Sequence, residues 1–359
     1  MNESFWIFPI LLFLTIQAGI WLLIFNKLSQ RHPAVNRSDP VPVSIIICAR
    51  NARHHLERNL PKFLAQKYPE FELILVDDDS DDGTEEWIKS ILVDYPRLRY
   101  YRNHKTSAGK KQALNLGISN ASHSWIALSD ADCKPGSPFW LKTMMSNVSE
   151  STKIVLGYAP YEKNPGLLNK LIRLETVLNA IQYLSAADLG FPYMGCGRNL
   201  VYHKSIFDTQ SLQVHLAYGD DDLLINAKST KENTVFSLHP DSFIYSNPAT
   251  SYPGYFKQKW RHYAAAHEYS WGIKMYLFIY FISLVGFYGS FVALLFFKLY
   301  AIAFICLISK MVFTWPVFYK QCRVLNEKDL INYFPLLSWM YVVHLIFQIP
   351  FLWIKKKKW

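Results

Sequence analysis

The sequence predicts an α/β protein, a mostly parallel sheet with interleaved helices, held between N-terminal and C-terminal transmembrane helices. Three observations predict it. Short apolar, β-branched-rich runs at Val43 to Cys48, Phe71 to Val76 and Trp125 to Ser129 each stop at acidic or turn residues. Between them lie helix-like stretches, His54 to Gln66, Thr84 to Val93 and Ala108 to Ser119, and strands alternating with helices build parallel sheets. The longest apolar stretches gather at the two ends of the chain.

Taken in order, Phe5 to Phe25 is almost uninterrupted apolar sequence, and about 20 such residues cross a bilayer. Glu3 precedes this run and Lys27 follows it, whereas a cleaved signal peptide begins with basic residues. Residues 1–27 are therefore expected to be an uncleaved anchor, its N-terminus outside and the following domain cytoplasmic. Residues 28–41 are polar and contain prolines, as a linker does. Residues 42–250 read as a soluble body whose ligand groups belong at the carboxyl ends of its strands. Residues 251–274, with Tyr252, Tyr255, Phe256, Lys257, Trp260 and Tyr263, suit an interfacial segment. Residues 275–359 form a membrane region with candidate spans Met275 to Phe297, Leu299 to Tyr319 and Tyr333 to Ile354. His344, Gln348 and Pro350 interrupt the last, so two to three spans are expected there. Three would place Lys355 to Lys358 outside, against the positive-inside tendency.

Composition narrows the function classes. The 359 residues are 51% hydrophobic and 16% aromatic, which is high for a soluble enzyme. The net charge is +10, but part of it sits beside apolar spans, at Lys27, Arg31, Arg37 and Lys355 to Lys358, where it meets anionic lipid. Zinc-finger spacing and RNA-binding aromatic signatures are missing, so nucleic acid is not an expected partner. The five scattered cysteines, Cys48, Cys133, Cys196, Cys306 and Cys322, form no C-x-x-C pair. They fit neither a disulfide framework nor a zinc site, and they suit a reducing compartment.

The chemistry-bearing residues lie in short clusters. Leu128-Ser129-Asp130-Ala131-Asp132 sets two carboxylates one residue apart where a strand breaks into a loop. Mg²⁺ or Mn²⁺ takes oxygen ligands and keeps positions for phosphates; a capping or solvated turn would use the same residues. Upstream, Asp77-Asp78-Asp79-Ser80-Asp81-Asp82 crowds like charges that need solvent, a metal or hydrogen-bond donors. Ser80 or Asp82 is placed to cap the helix that follows. The acidic spacing, lacking a terminal Glu, does not make an EF-hand. Gly109-Lys110-Lys111 at a helix start favours phosphate, without the glycine run of a P-loop.

In this order, and with Pro42 to Asn51 before them, these segments resemble the nucleotide-sugar half of family-2 glycosyltransferases over roughly residues 40–265. The resemblance implies a GT-A type, Rossmann-like fold over 42–250 and inversion at the anomeric carbon. It puts Ala49 and Arg50 under the nucleoside, Asp78 against uracil and Lys110 on the diphosphate. Asp130 and Asp132 become the ribose and metal carboxylates. Asp79 stands where the family usually has Gly, and Asp81 where it often has Thr.

Three further segments extend the resemblance. Asp220-Asp221-Asp222 looks like the family's third acidic motif. Direct displacement needs a base for the acceptor hydroxyl, and neighbouring acids raise a carboxyl's pKa toward that task. Asp221 is the expected base with Asp220 as the alternative, and Asp222 lies on the acceptor side. Gly195-Cys196-Gly197-Arg198-Asn199 resembles the acceptor-side glycine loop, in which Gly195 and Gly197 let backbone approach a ligand; a plain tight turn is the alternative. Gln258-Lys259-Trp260-Arg261-His262 resembles the Q-x-x-R-W motif with His in place of the final Trp. That motif implies a diphosphate contact for Arg261, with Trp260 toward the acceptor.

The expected activity joins these parts. A sugar moves from a nucleotide-diphosphate donor, UDP-linked by the resemblance, to a lipid or lipid-linked acceptor at the membrane, with Mg²⁺ or Mn²⁺. A processive polysaccharide synthase is the alternative reaction. An inactive nucleotide-sugar-binding scaffold is the alternative class.

Overall fold

The computed structural model describes residues 4–30, 39–104, 111–146, 148–207, 220–266 and 269–353. Within these, 4–6, 220–222, 260–266 and 349–353 are described by their backbone alone. The chain divides into two compact units.

The first unit comprises residues 32–163 and 190–249. Its strands are β1 (Val43–Ala49), β2 (Phe71–Asp77), β3 (Leu98–Arg102), β4 (Trp125–Asp130), β5 (Cys133–Pro135), β6 (Ile154–Leu156), β7 (Leu200–His203), β8 (Thr234–Phe236) and β9 (Ile244–Ser246). Seven form one sheet in the order β3-β2-β1-β4-β7-β6-β8, and β5 pairs with β9 in a second. The strands β1 to β4 are mutually parallel, and β7 turns antiparallel against β4.

Sequence explains this order. A central parallel strand is covered on both faces and so reads as a continuous apolar run, as Val43-Ser44-Ile45-Ile46-Ile47-Cys48-Ala49 does. The helix Arg53–Leu64 covers one face, burying Leu56, Leu60 and Phe63 at helical spacing. The helix Lys111–Asn120 covers the other so closely that a Cβ on Gly117 would lie 2.7 Å from Ile46 and 3.2 Å from Val76. With β2 and β4 on opposite sides of β1, the strand order reverses at β1. Open α/β sheets bind ligands at the carboxyl ends beside that reversal.

The second unit comprises residues 1–31, 164–189 and 250–355. Four segments, Ile7–Leu28, Trp271–Phe296, Tyr300–Val324 and Lys328–Gln348, are long and apolar enough to cross a membrane. The helices Leu167–Asp188 and Tyr252–Ala266 pack with them. In hydrocarbon, polar groups must find partners inside the protein. Gln17 accordingly donates to Ser283 at 2.8 Å and accepts from the Trp21 indole at 3.2 Å. A π-helical turn, Ile20–Phe25, is matched by Gln321 donating to the Phe25 carbonyl at 2.6 Å. The hairpin between the second and third segments turns on Lys298, whose φ of 60° is left-handed.

The last segment differs from the expectation of an interrupted span. His344 and Gln348 are buried, while Leu336, Val343, Ile346 and Phe347 are exposed. The polar residues therefore face the interior of the unit, and the outer surface stays apolar. Among the described residues, three C-terminal segments are long and apolar enough to span, by length and composition.

Candidate active site

Strand register brings the expected donor residues to one rim. Ala49 lies beside Asp77, and Cys48 beside Asp130, so the carboxyl ends of β1, β2 and β4 stand abreast. Ala49 is buried and Arg50 is exposed. Asp78 is buried; its amide donates to the Ala49 carbonyl at 2.7 Å, and its carboxylate accepts from Asn103 at 2.7 Å.

The acidic loop is balanced by the chain's own donors. Asp77 is fully buried, and it accepts from the Ser80 amide at 3.0 Å and the Tyr100 hydroxyl at 2.9 Å. Burial and the Asp77 carboxylate push the Tyr100 phenol up, so it stays a donor. Arg102 pairs with Glu85, lies 3.5 Å from Asp79 and 3.9 Å from Asp77, and donates to the Ser80 carbonyl at 3.1 Å. Tyr100, Arg102 and Asn103 come from β3 and the residue after it. Sequence reading passed over this strand because Leu-Arg-Tyr-Tyr-Arg carries no apolar run. The available signal was two arginines set close after an acidic loop.

The same loop is stitched to the end of β1. The Asn51 amide donates to Ser80 Oγ at 2.9 Å, and the Asp81 amide donates to Asn51 Oδ1 at 3.0 Å. Asp79 has φ of 61°, a conformation suited to glycine that aspartate tolerates. Asp82 accepts from the Arg53 amide at 2.9 Å and from the amide and hydroxyl of Thr84 at 3.2 and 2.5 Å. Burial alone would raise the Asp82 carboxyl, but these bonds outweigh it and hold it below its usual range. Asp82 therefore does the capping, while Ser80 ties the two loops.

Asp130 ends β4 and Asp132 precedes β5, both half-buried. The intervening Ala131 is anchored by Asn59, which donates to its carbonyl at 3.3 Å. Ligand atoms of Asp130, Asp132 and Cys133 lie within 4.8 Å of one another. Burial, then the Asp132 and Asp130 carboxylates, push the Cys133 thiol well up. It stays protonated and donates to Asp132 at 3.4 Å. The two carboxylates of this group are of the kind that suits a hard cation, which takes further oxygens from phosphate and water.

A Cβ on Gly195 would lie 3.1–3.3 Å from Leu156, Leu200 and Ile225. Its smallness lets the glycine loop sit against these apolar side chains. Gly197 lies in a turn. The residues that follow, which sequence reading left without roles, organise the region. Asn199 is fully buried; it accepts from the Trp140 indole at 3.0 Å and donates to the Tyr158 and Ser242 carbonyls at 2.8 Å each. The Arg198 guanidinium lies 4.5 Å over the Tyr161 ring, donates to Ser246 and to the Ala159 carbonyl, and acts electrostatically on Asp132.

Lys110 lies outside the described residues. Asp220, Asp221 and Asp222 open the helix Asp220–Lys228, and Trp260 and Arg261 lie in the helix Tyr252–Ala266. For all five the side chains lie outside what is described.

Comparison with known proteins agrees with this layout. Residues 44–209 match glycosyl transferase family 2. The chain is 27% identical over 169 residues to a poly-beta-1,6-N-acetyl-D-glucosamine synthase of Staphylococcus aureus, covering 46% of this chain and 37% of that one. It is 28% identical over 112 residues to a glycosyltransferase of Haemophilus influenzae, covering 31% and 34%. The chain thus spans little more than a third of the length of these curated relatives. Among solved structures, a mannosyltransferase of Pyrobaculum calidifontis in complex with GDP-Man and Mn²⁺ superposes with a TM-score of 0.58 at 14% identity, covering 94% of this chain and 99% of that one. Residues 44–209 thus match a glycosyl transferase family 2 domain, the fold is like that of the mannosyltransferase, and the described helices include four apolar enough to cross a membrane.

Proposed function

We propose that the chain is a membrane-bound inverting transferase that moves a sugar from a nucleotide-diphosphate donor, UDP-linked, to a lipid or lipid-linked acceptor. The observation that carries this reading is the rim where the carboxyl ends of β1, β2 and β4 stand abreast at the strand-order reversal, with the Asp78 amide bonded to the Ala49 carbonyl, Asp130 ending β4 and Asp132 two residues on. Asp78 offers a hydrogen-bond acceptor to the base. Asp130 and Asp132 would hold Mg²⁺ or Mn²⁺, which offsets charge on the departing nucleotide when bound. Arg50 belongs with the nucleoside, and Lys110 and Arg261 with the diphosphate. Asp221, or Asp220 in the alternative register, takes the proton of the attacking hydroxyl. Gly195, Gly197, Asp222 and Trp260 lie on the acceptor side in this reading. The lipid acceptor follows from the four apolar segments, and a cytoplasmic catalytic domain from Lys27 after the first of them.

A second reading, a processive polysaccharide synthase, is favoured by the likeness to the Staphylococcus aureus synthase. One assay separates the two. Membranes holding the chain are given labelled UDP-glucose, UDP-N-acetylglucosamine or GDP-mannose with lipid extract and Mn²⁺. The leading reading expects a product carrying one added sugar in the organic phase. A ladder of long polymer would replace it with the processive reading.

A further inference from the structure

The helix Tyr252–Ala266 carries the Gln258 to His262 motif, and its hold on the rest of its unit is an ionic one. Lys259 Nζ lies 3.0 Å from Glu175 Oε1 on the helix Leu167–Asp188. Glu175 is 2% exposed. Its other carboxylate oxygen lies 3.4 Å from His344 Nε2, on the last membrane segment. The His344 ring stacks on Tyr255 at 5.0 Å and 14°, and it meets Phe256 at 5.0 Å. Three helices far apart in sequence thus converge on one carboxylate. Burial alone would raise the Glu175 carboxyl, but the Lys259 ammonium and the His344 imidazole outweigh it and hold it below its usual range.

The geometry constrains residues beyond the contacts. Tyr255 and Lys259 are one helical turn apart on one face. With that face locked, the helix positions of residues 260 and 261 are fixed as well, about 100° and about 200° round the axis from Lys259. A buried carboxylate spanning three helices is costly unless paired on every side, so it tolerates little rotation of the helix that supplies Lys259.

We propose that Glu175 is a positioning residue for sugar transfer, clamping Lys259 and His344 so that the helix bearing Trp260 and Arg261 keeps one rotation against the membrane segments. This rests on the reading of Arg261 as the diphosphate contact. Nothing in the Q-x-x-R-W resemblance calls for Glu175, which lies 84 residues before Lys259 by their sequence positions.

The test uses the full chain in lipid nanodiscs and whichever of UDP-N-acetylglucosamine, UDP-glucose and GDP-mannose it turns over. Donor KM and kcat are measured for Arg261→Ala, Glu175→Gln, Glu175→Asp and the double variant E175Q/R261A. Inhibition by the matching nucleoside monophosphate, which lacks the diphosphate, is measured alongside. Arg261→Ala should raise donor KM about tenfold, and Glu175→Gln should do nearly the same. The double variant should fall within about twofold of Arg261→Ala alone, because residues acting as one unit are not additive. Glu175→Asp should restore most of the loss, and monophosphate inhibition should not move. An unchanged donor KM in Arg261→Ala would remove the motif reading itself. A raised KM there with an unchanged KM in Glu175→Gln, or losses that multiply in the double variant, would overturn the clamp. If Glu175→Gln does not accumulate as folded protein, His344→Asn carries the test: a raised donor KM supports the clamp and an unchanged one overturns it.

Discussion

At the rim of the sheet, Asp77, Asp79 and Glu85 share one arginine, Arg102, while Asp130 and Asp132 stand half-buried. Among the described residues of the helical unit, the buried acids Glu327 and Glu175 each meet a cation. Arg173 donates to Glu327 at 3.0 Å and to Asp329 at 2.8 and 2.6 Å, and Glu175 is closed by Lys259 and His344. The difference is one of solvent. Water at the rim tolerates an excess of negative charge. A low-dielectric interior tolerates none, so its ions come in closed sets that fix geometry. In the proposed reading, Asp130 and Asp132 are left for a cation and a nucleotide, while the acids of the helical unit hold helices together.

The largest effect that would break this comparison is at the acidic triplet. Asp221→Asn should leave donor binding intact and lower transfer by about 10²–10⁴-fold, the range for a lost general base. Titration of the variant with labelled donor, beside a transfer assay, checks both halves. If Asp220→Asn does this instead, the base lies one residue earlier.

Next come the two arginines. Arg173→Met leaves Glu327 buried without its partner, a change that costs about 3–5 kcal/mol. Arg102→Met removes a cation from a hydrated rim, where solvent screens the lost charge and the loss is smaller. Thermal unfolding in detergent should rank Arg173→Met well below Arg102→Met, and equal losses would erase the contrast between the units. The smallest effect is at Asp79. A residue held at left-handed φ costs on the order of 1 kcal/mol if its side chain gains nothing locally. Asp79→Ala should therefore destabilise by about that amount, whereas Asp79→Gly should not, as read from denaturant midpoints.

Much of the sheet was legible because its strands are buried on both faces. β1, β2 and β4 show as apolar runs, and their acidic ends mark the rim. β3 was not legible, since an outer strand of the sheet with Arg99, Tyr100, Tyr101 and Arg102 has no such run, yet it supplies the cation that the acidic loop needs. The role of Gly195 depends on Leu156 and Ile225, which only the folded sheet brings near. Asn199 is equally silent in sequence, because its partners Trp140, Tyr158 and Ser242 are spread over about a hundred positions. The polar residues of the last segment read as interruptions because Glu175, their reason, belongs to a helix far upstream. The D-x-D pair is visible in sequence because its two carboxylates lie one residue apart at a strand end, where the structure also has them.

The central claim is that the carboxylate rim serves a donor through a divalent cation. It is tested most directly by following nucleotide release and labelled lipid product together, with Mn²⁺, with EDTA, and in Asp132→Asn. The account predicts both signals with Mn²⁺ and a loss of more than about a hundredfold in the other two arms, as expected when charge stabilisation worth several kcal/mol is removed. The variant should remain in the membrane fraction. Release and transfer that persist in EDTA and in Asp132→Asn would contradict the account, as would a donor that binds with Mn²⁺ but is never consumed.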